Sequence, residues 1–121
     1  MPLNKILLID DDPGVREFLQ LHFEDHGYQV DTAFDGEQGV EKFKAGSYDL
    51  VISDMMMPKM IGLEVLRQVK QIRPEQKIIL MSGVSEESMV QKARALGCQF
   101  YIHKPVRLNE VEERVKECLQ D

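Results

Sequence analysis

Residues 50–58 read Leu50-Val51-Ile52-Ser53-Asp54-Met55-Met56-Met57-Pro58, and the fold turns on how that stretch is taken. An apolar run ends in a carboxylate, and Pro58 follows four residues later. Runs of this length between turn signals match strands buried on both faces, as in parallel sheets. Asp54 then stands at the carboxyl end of a central strand, the edge of an open α/β sheet where ligands bind. Taken alone, the same aspartate reads better as a turn residue or a helix N-cap. The rest of the chain decides between the two.

Upstream, Asn4 to Ile9 is a short apolar strand running into Asp10-Asp11-Asp12. Pro13 suits the first turn of a helix with Asp12 as its N-cap. That helix carries Val15, Phe18, Leu19, His22 and Phe23 at helical spacing and stops at Gly27. Gln29 to Ala33 alternates as a half-exposed edge strand does. Asp35-Gly36 turns into a helix with Val40 and Phe43 inward and Gly46 past its end. Tyr48 to Ser53 is the central strand. Beyond Pro58 a loop enters a helix at Gly62, with Leu63, Leu66, Val69 and Ile72 on its apolar side, and Pro74 prevents continuation.

Lys77 to Met81 is a further apolar strand, ending at Ser82-Gly83. Ser85 is placed to cap a helix bearing Met89, Ala93 and Leu96, which Gly97 closes. Cys98 to Ile102 is the fifth strand, followed by His103-Lys104-Pro105. The last helix lines up Leu108, Val111, Val115, Cys118 and Leu119. Strand and helix thus alternate five times. Such alternation yields a parallel sheet with helices on both faces, joined by right-handed crossovers.

Composition sets the outer bounds. The 121 residues suit one domain, residues 1–121, and 43% hydrophobic with 30% charged residues is ordinary for a soluble globular protein. A net charge of −6 argues against bare nucleic acid or an anionic membrane as partner. The apolar core of the first ten residues is too short for a signal peptide or a membrane span, so a cytoplasmic location is expected. Cys98 and Cys118 lack metal or redox spacing and read as reduced, buried thiols. His22 and His26 stand at i, i+4 without a third ligand in view, so they read as surface or helix-end histidines.

Parallel strands place the residues just past them on one edge. Asp10-Asp11, Asp54, Ser82 and Lys104 all follow apolar runs and therefore meet there. Carboxylates about 4 Å apart repel by roughly 4 kcal/mol at an effective dielectric near 20. Such a cluster must hold protons or bind a cation. Oxygen-only ligands suit a hard ion such as Mg²⁺, with Mn²⁺ as substitute. A carboxylate beside such an ion and an ammonium is equipped to attack phosphorus and form an aspartyl phosphate. Ser82 could donate to a phosphoryl oxygen.

These stretches, Ile6 to Asp12, Asp49 to Pro58, Ile79 to Gly83 and Tyr101 to Pro105, together resemble the receiver domains of two-component response regulators over essentially the full chain. The resemblance implies an α/β, flavodoxin-like, doubly wound sheet of strand order 2-1-3-4-5. It implies that Asp54 accepts a phosphoryl group from a sensor histidine kinase or phosphotransfer protein, and that the domain is a switch rather than an enzyme. Asp10 and Asp11 would hold Mg²⁺ with Asp54 and the backbone carbonyl of Met56, and Lys104 would pair with the phosphoryl group. Which two of the aspartate triplet serve the metal is open; distance from the strand favours Asp10 and Asp11. Ser82 and Tyr101 match the two switch positions, although Tyr101 also suits an ordinary core aromatic. A cis Lys104-Pro105 bond is implied too. The output would pass through the helix 4–strand 5–helix 5 face to a downstream protein or attached output domain, or through a phosphorylation-dependent homodimer.

Two departures stand out. Met60-Ile61-Gly62 lacks the aspartate that many receivers place before the glycine, so the third helix should start without a side-chain cap. Met56 and Val84 are apolar where rapidly dephosphorylating members carry polar side chains, which points to a long-lived phosphorylated state. A Mg²⁺-dependent phosphatase is the competing reading. Its second acid would fall at Met56, and that acid is missing. A phosphorylation-independent pseudo-receiver sits poorly with the intact acids, Ser82 and Lys104. The methionine run reads as core filler rather than a sticky surface.

Overall fold

The computed structural model describes residues 4–83 and 87–119. The expected cap at Ser85 and the position of Val84 lie outside these residues. Five strands, β1 (Lys5–Ile9), β2 (Gln29–Ala33), β3 (Leu50–Asp54), β4 (Ile78–Ser82) and β5 (Phe100–His103), alternate with five helices. These are α1 (Pro13–Asp25), α2 (Gly36–Ala45), α3 (Gly62–Ile72), α4 (Glu87–Ala95) and α5 (Leu108–Leu119). All strands are parallel, in the order β2-β1-β3-β4-β5. The parallel sheet expected from the residues, in the flavodoxin-like order that the resemblance implied, is therefore present.

Alternate strand residues feed two cores. Leu7, Ile9, Val51 and Leu80 pack under α2, α3 and α4 through Val40, Phe43, Val65, Leu66, Val69 and Ala93. Ile6, Leu8, Leu50, Ile52, Ile79 and Met81 pack under α1 and α5 through Leu19, Phe23, Val111, Val115 and Cys118. Burying each of the Val, Leu, Ile, Phe and Met side chains among them contributes about 1.5–3 kcal/mol, so both faces are strongly specified. β3 and β4, buried at every position, are the centre of that arrangement.

Helix ends follow local chemistry. Asp12 caps α1, accepting from the Gly14 and Val15 amides, with Pro13 in the first turn. Gly27 and Gly97 take φ of 89° and 97° beyond α1 and α4, a region open to glycine at little cost. Asp35 caps α2 through the Gln38 amide. Ile61 precedes α3 and makes no side-chain cap, as the missing aspartate implied.

Several apolar stripes need correction. Phe18 is 55% exposed, because it lies roughly 100° around α1 from the buried centre at Leu19. The inner face of α3 is Gly62, Val65, Leu66 and Val69, with Leu63 half-buried and the terminal Ile72 exposed. On α4 the buried pair is Val90 and Ala93, and Leu96 falls one residue beyond the helix. Strands β3, β4 and β5 each run one residue further toward the polar end than expected, because the ladder pairs Asp54 with Met81 and Ser82 with His103.

Candidate functional site

Each residue at the carboxyl edge of the sheet is held by its own strand. Asp10 directly follows β1, is fully buried, and donates its amide to the Ala33 carbonyl at 3.1 Å. Its carboxylate accepts the Asp12 amide at 2.9 Å, and its carbonyl accepts Arg16 Nη1 at 2.8 Å. Asp54 closes β3 with 6% of its surface exposed. Asp11 is exposed beside them, and one carboxylate oxygen from each of Asp10, Asp11 and Asp54 lies within 4.8 Å of the others. Asp12 is occupied as the α1 cap, and the two acids of the triplet that group with Asp54 are Asp10 and Asp11.

Lys104 enters from the far side. Its amide donates to the Ser82 carbonyl at 2.8 Å, tying the end of β5 to the end of β4. Its Nζ stands 3.4 Å from Asp10 Oδ2 and 3.4 Å from Asp54 Oδ1. These separations exceed a tight hydrogen bond, so the ammonium acts on both acids mainly through its charge. The Lys104-Pro105 bond is cis.

The electrostatics record the crowding. Burial is the main force raising Asp54 from 3.8 to about 6, with the Asp10 charge adding and Lys104 opposing. Asp10 is raised as well, chiefly by burial, against the Asp12 amide and Lys104. Desolvation pulls Lys104 down, yet the charges of Asp10 and Asp54 carry it above its ordinary value. Two carboxylates at 4.8 Å repel by about 3–4 kcal/mol at an effective dielectric near 20, and one ammonium does not cancel three acids. An all-oxygen set with surplus negative charge fits a hard divalent cation.

The other expected residues are placed as follows. Ser82 ends β4 and is fully buried. Tyr101 is half-buried on β5 against the core beneath α4, its ring edge-on to His103 at 5.4 Å between centroids. Met55 and Met57 are buried core filler, as expected. Met56 departs from that reading: its side chain is 50% exposed at the rim of the site.

Two features were not read from the sequence. A Cβ on Gly62 would lie 2.6 Å from the Asp54 carbonyl oxygen, and its amide donates to the Met55 carbonyl at 2.7 Å. Glycine therefore lets α3 start directly against the strand end that carries Asp54. Lys59 has φ of 72° while the Met60 amide reaches back to the Pro58 carbonyl at 2.8 Å, a tight and strained three-residue turn. Gly62 after a proline-containing loop was the available signal for the first; nothing in the residue identities marks the second.

Comparison with known proteins gives consistent results. A family model described as the response regulator receiver domain matches residues 6–116. The transcriptional regulatory protein DltR of Streptococcus agalactiae is 37% identical, over 93% of this chain and 50% of its own length. The chain thus spans about half of that relative. The chemotaxis protein CheY of Treponema pallidum is 38% identical, over 96% of this chain and 83% of its own length. The crystal structure of response regulator TrrA from Thermotoga maritima, in complex with Mg²⁺-BeF, superposes with a TM-score of 0.88 at 37% identity, covering 97% of this chain and all of that one.

Proposed function

The chain belongs to the response regulator receiver domain family, and from that premise we propose that it is a switch phosphorylated on Asp54. One observation carries the reading. Carboxylates from the ends of β1 and β3 and the ammonium from the end of β5 share a single pocket.

An Asp54 oxygen attacks the phosphorus of a phosphohistidine on a sensor kinase or phosphotransfer protein. The new P–O bond forms as the P–N bond breaks, its electron pair returns to the imidazole, and that ring takes up a proton. With its acidity near 6, Asp54 is largely ionised and able to attack at neutral pH. Lys104 balances charge on the incoming group, and the Ser82 hydroxyl donates to one of its oxygens. A Mg²⁺ or Mn²⁺ ion held by Asp10, Asp11, Asp54 and the Met56 carbonyl would supply further positive charge.

Phosphorylation then biases two conformations through Ser82 and Tyr101, and the face of α4, β5 and α5 passes the change on. Its reader is a downstream protein, an attached output domain or a second copy of the chain. The net charge of −6 supports a protein reader over direct nucleic acid contact. No described helix is long and apolar enough to cross a membrane, which accords with a cytoplasmic site of action.

Incubation with acetyl phosphate and Mg²⁺, followed by intact-mass measurement, tests the assignment. One phosphoryl adduct is expected on this chain and none on Asp54→Asn. An adduct on both, or on neither, removes it.

A further inference from the structure

We propose that His22, His26 and Glu112 form a second cation site, built for a borderline transition-metal ion such as Zn²⁺ and bridging α1 to α5. The histidine pair read from the sequence lacked a third ligand; the fold supplies it. His22 and His26 are four residues apart on α1, with ring centroids 4.4 Å apart. Helix α5 packs on the same face of the sheet, where Leu19 and Phe23 share a core with Val111 and Val115. That packing brings the Glu112 carboxylate beside the Nε2 atoms of both rings. One donor atom from each of the three residues lies within 4.8 Å of the others.

The donors are prepared in two independent ways. His26 Nδ1 lies 2.8 Å from the His22 carbonyl oxygen, which can only accept, so Nδ1 carries the proton. In the neutral ring this leaves the Nε2 lone pair facing Glu112 Oε1 at 3.4 Å. An anchored far nitrogen of this kind is the usual support of a metal-bound imidazole. Separately, His22 Nε2 is buried with no hydrogen-bond partner, and Glu112 Oε2 stands 3.8 Å away, beyond reach. Buried polar atoms are seldom left in that state.

Ligands around a tetrahedral ion with bonds of about 2.0–2.1 Å stand roughly 3.3–3.5 Å apart. Glu112 meets the two rings through different oxygens, Oε1 at 3.4 Å from His26 Nε2 and Oε2 at 3.8 Å from His22 Nε2, so a turn of the carboxylate is what would bring one oxygen to that spacing from both. An ion seated among the three would satisfy the buried nitrogen and leave a fourth position for water. Imidazole nitrogens select Zn²⁺, Ni²⁺ or Cu²⁺ over Mg²⁺, so the two clusters on this chain would sort cations by hardness. Lys116 Nζ, 3.2 Å from Glu112 Oε1, holds the carboxylate otherwise, and it is exposed enough to move aside.

Calorimetric titration of the full chain with Zn²⁺, in excess Mg²⁺ to occupy the aspartates, tests the site. The expected result is one saturable Zn²⁺ per chain, kept in Asp54→Asn and weakened at least about tenfold in both His26→Gln and Glu112→Gln. Both side chains are partly exposed, so circular dichroism and melting of the ion-free variants should match the parent. Co²⁺ should give a four-coordinate visible band without thiolate charge transfer. No saturable binding, binding undiminished in both variants, loss in Asp54→Asn, or a thiolate band from Cys98 or Cys118 would each overturn the site.

Discussion

Asp54 has 6% of its surface exposed, and the cost of charging it there works against folding in the ion-free protein. Its acidity moves from 3.8 unfolded to about 6 folded. Between those values the folded chain keeps a proton that the unfolded chain has released. The contribution to stability is therefore full below about pH 4 and lost as pH rises through about 6. Asp54→Asn should be more stable than the parent at pH 7 by on the order of 1–3 kcal/mol, with the gap closing toward pH 4. Urea unfolding in the presence of a chelator across that range checks it. At Met56 the exposed apolar side chain cannot orient a water against a phosphoryl group. Met56→Asn should accelerate loss of phosphate from Asp54, read as a time course of adduct mass; an unchanged rate would count against a protective role. At this scale the sequence was most informative about acids. Asp10, Asp11, Asp54 and Lys104 each follow a strand, and strand ends of a parallel sheet share an edge. The exposure of Met56 was hidden because three consecutive methionines carry no period to separate rim from core.

At the level of elements, α3 is the one that starts without help. Ile61 offers no acceptor to the first amides of the helix. Ile61→Asp should raise stability by about 0.5–1 kcal/mol, the usual worth of a side-chain cap less the small apolar area given up. A higher melting temperature with unchanged circular dichroism is the expected reading. Helix and strand identities were legible because caps, glycines and prolines punctuate every element, as at Asp12, Gly27, Asp35 and Pro74. The inner faces were less so. Phe18 and Ile72 lie at the margin or end of their stripes, and periodicity alone ranks them with Leu19 and Val69, although the sheet covers only the middle of each helix. Strand ends were misjudged for a related reason. Ser82 and Asp54 are polar, yet their backbones are still paired with neighbouring strands.

Across the whole molecule, the site exists only because the sheet is wound outward from β1 in both directions. Neighbours in space, β1 and β3, carry the acids, and β5 brings the ammonium from the edge. The parallel alternation was legible because every connection is long enough for a crossover helix, whereas the strand order came only with the family resemblance, since right-handed crossovers still leave several orders open. The approach of α5 to α1, which sets Glu112 beside His22, was not, since no local pattern encodes which helices become neighbours. A cation joining β1 to β3 should stabilise the fold as a unit. Millimolar Mg²⁺ should therefore raise the melting temperature of the parent, and the rise should shrink sharply in Asp10→Asn. Equal shifts in both would place the ion elsewhere.

The contact between Lys104 and Asp10 spans 94 residues of chain. At 5–20 residues per second, a ribosome releases the lysine roughly 5–20 seconds after the aspartate. Until then the growing chain holds the acids but not the ammonium that meets them in the folded domain. On the proposed reading, an unfinished polypeptide lacks the charge partner of the phosphoryl group, so signalling waits on a completed domain.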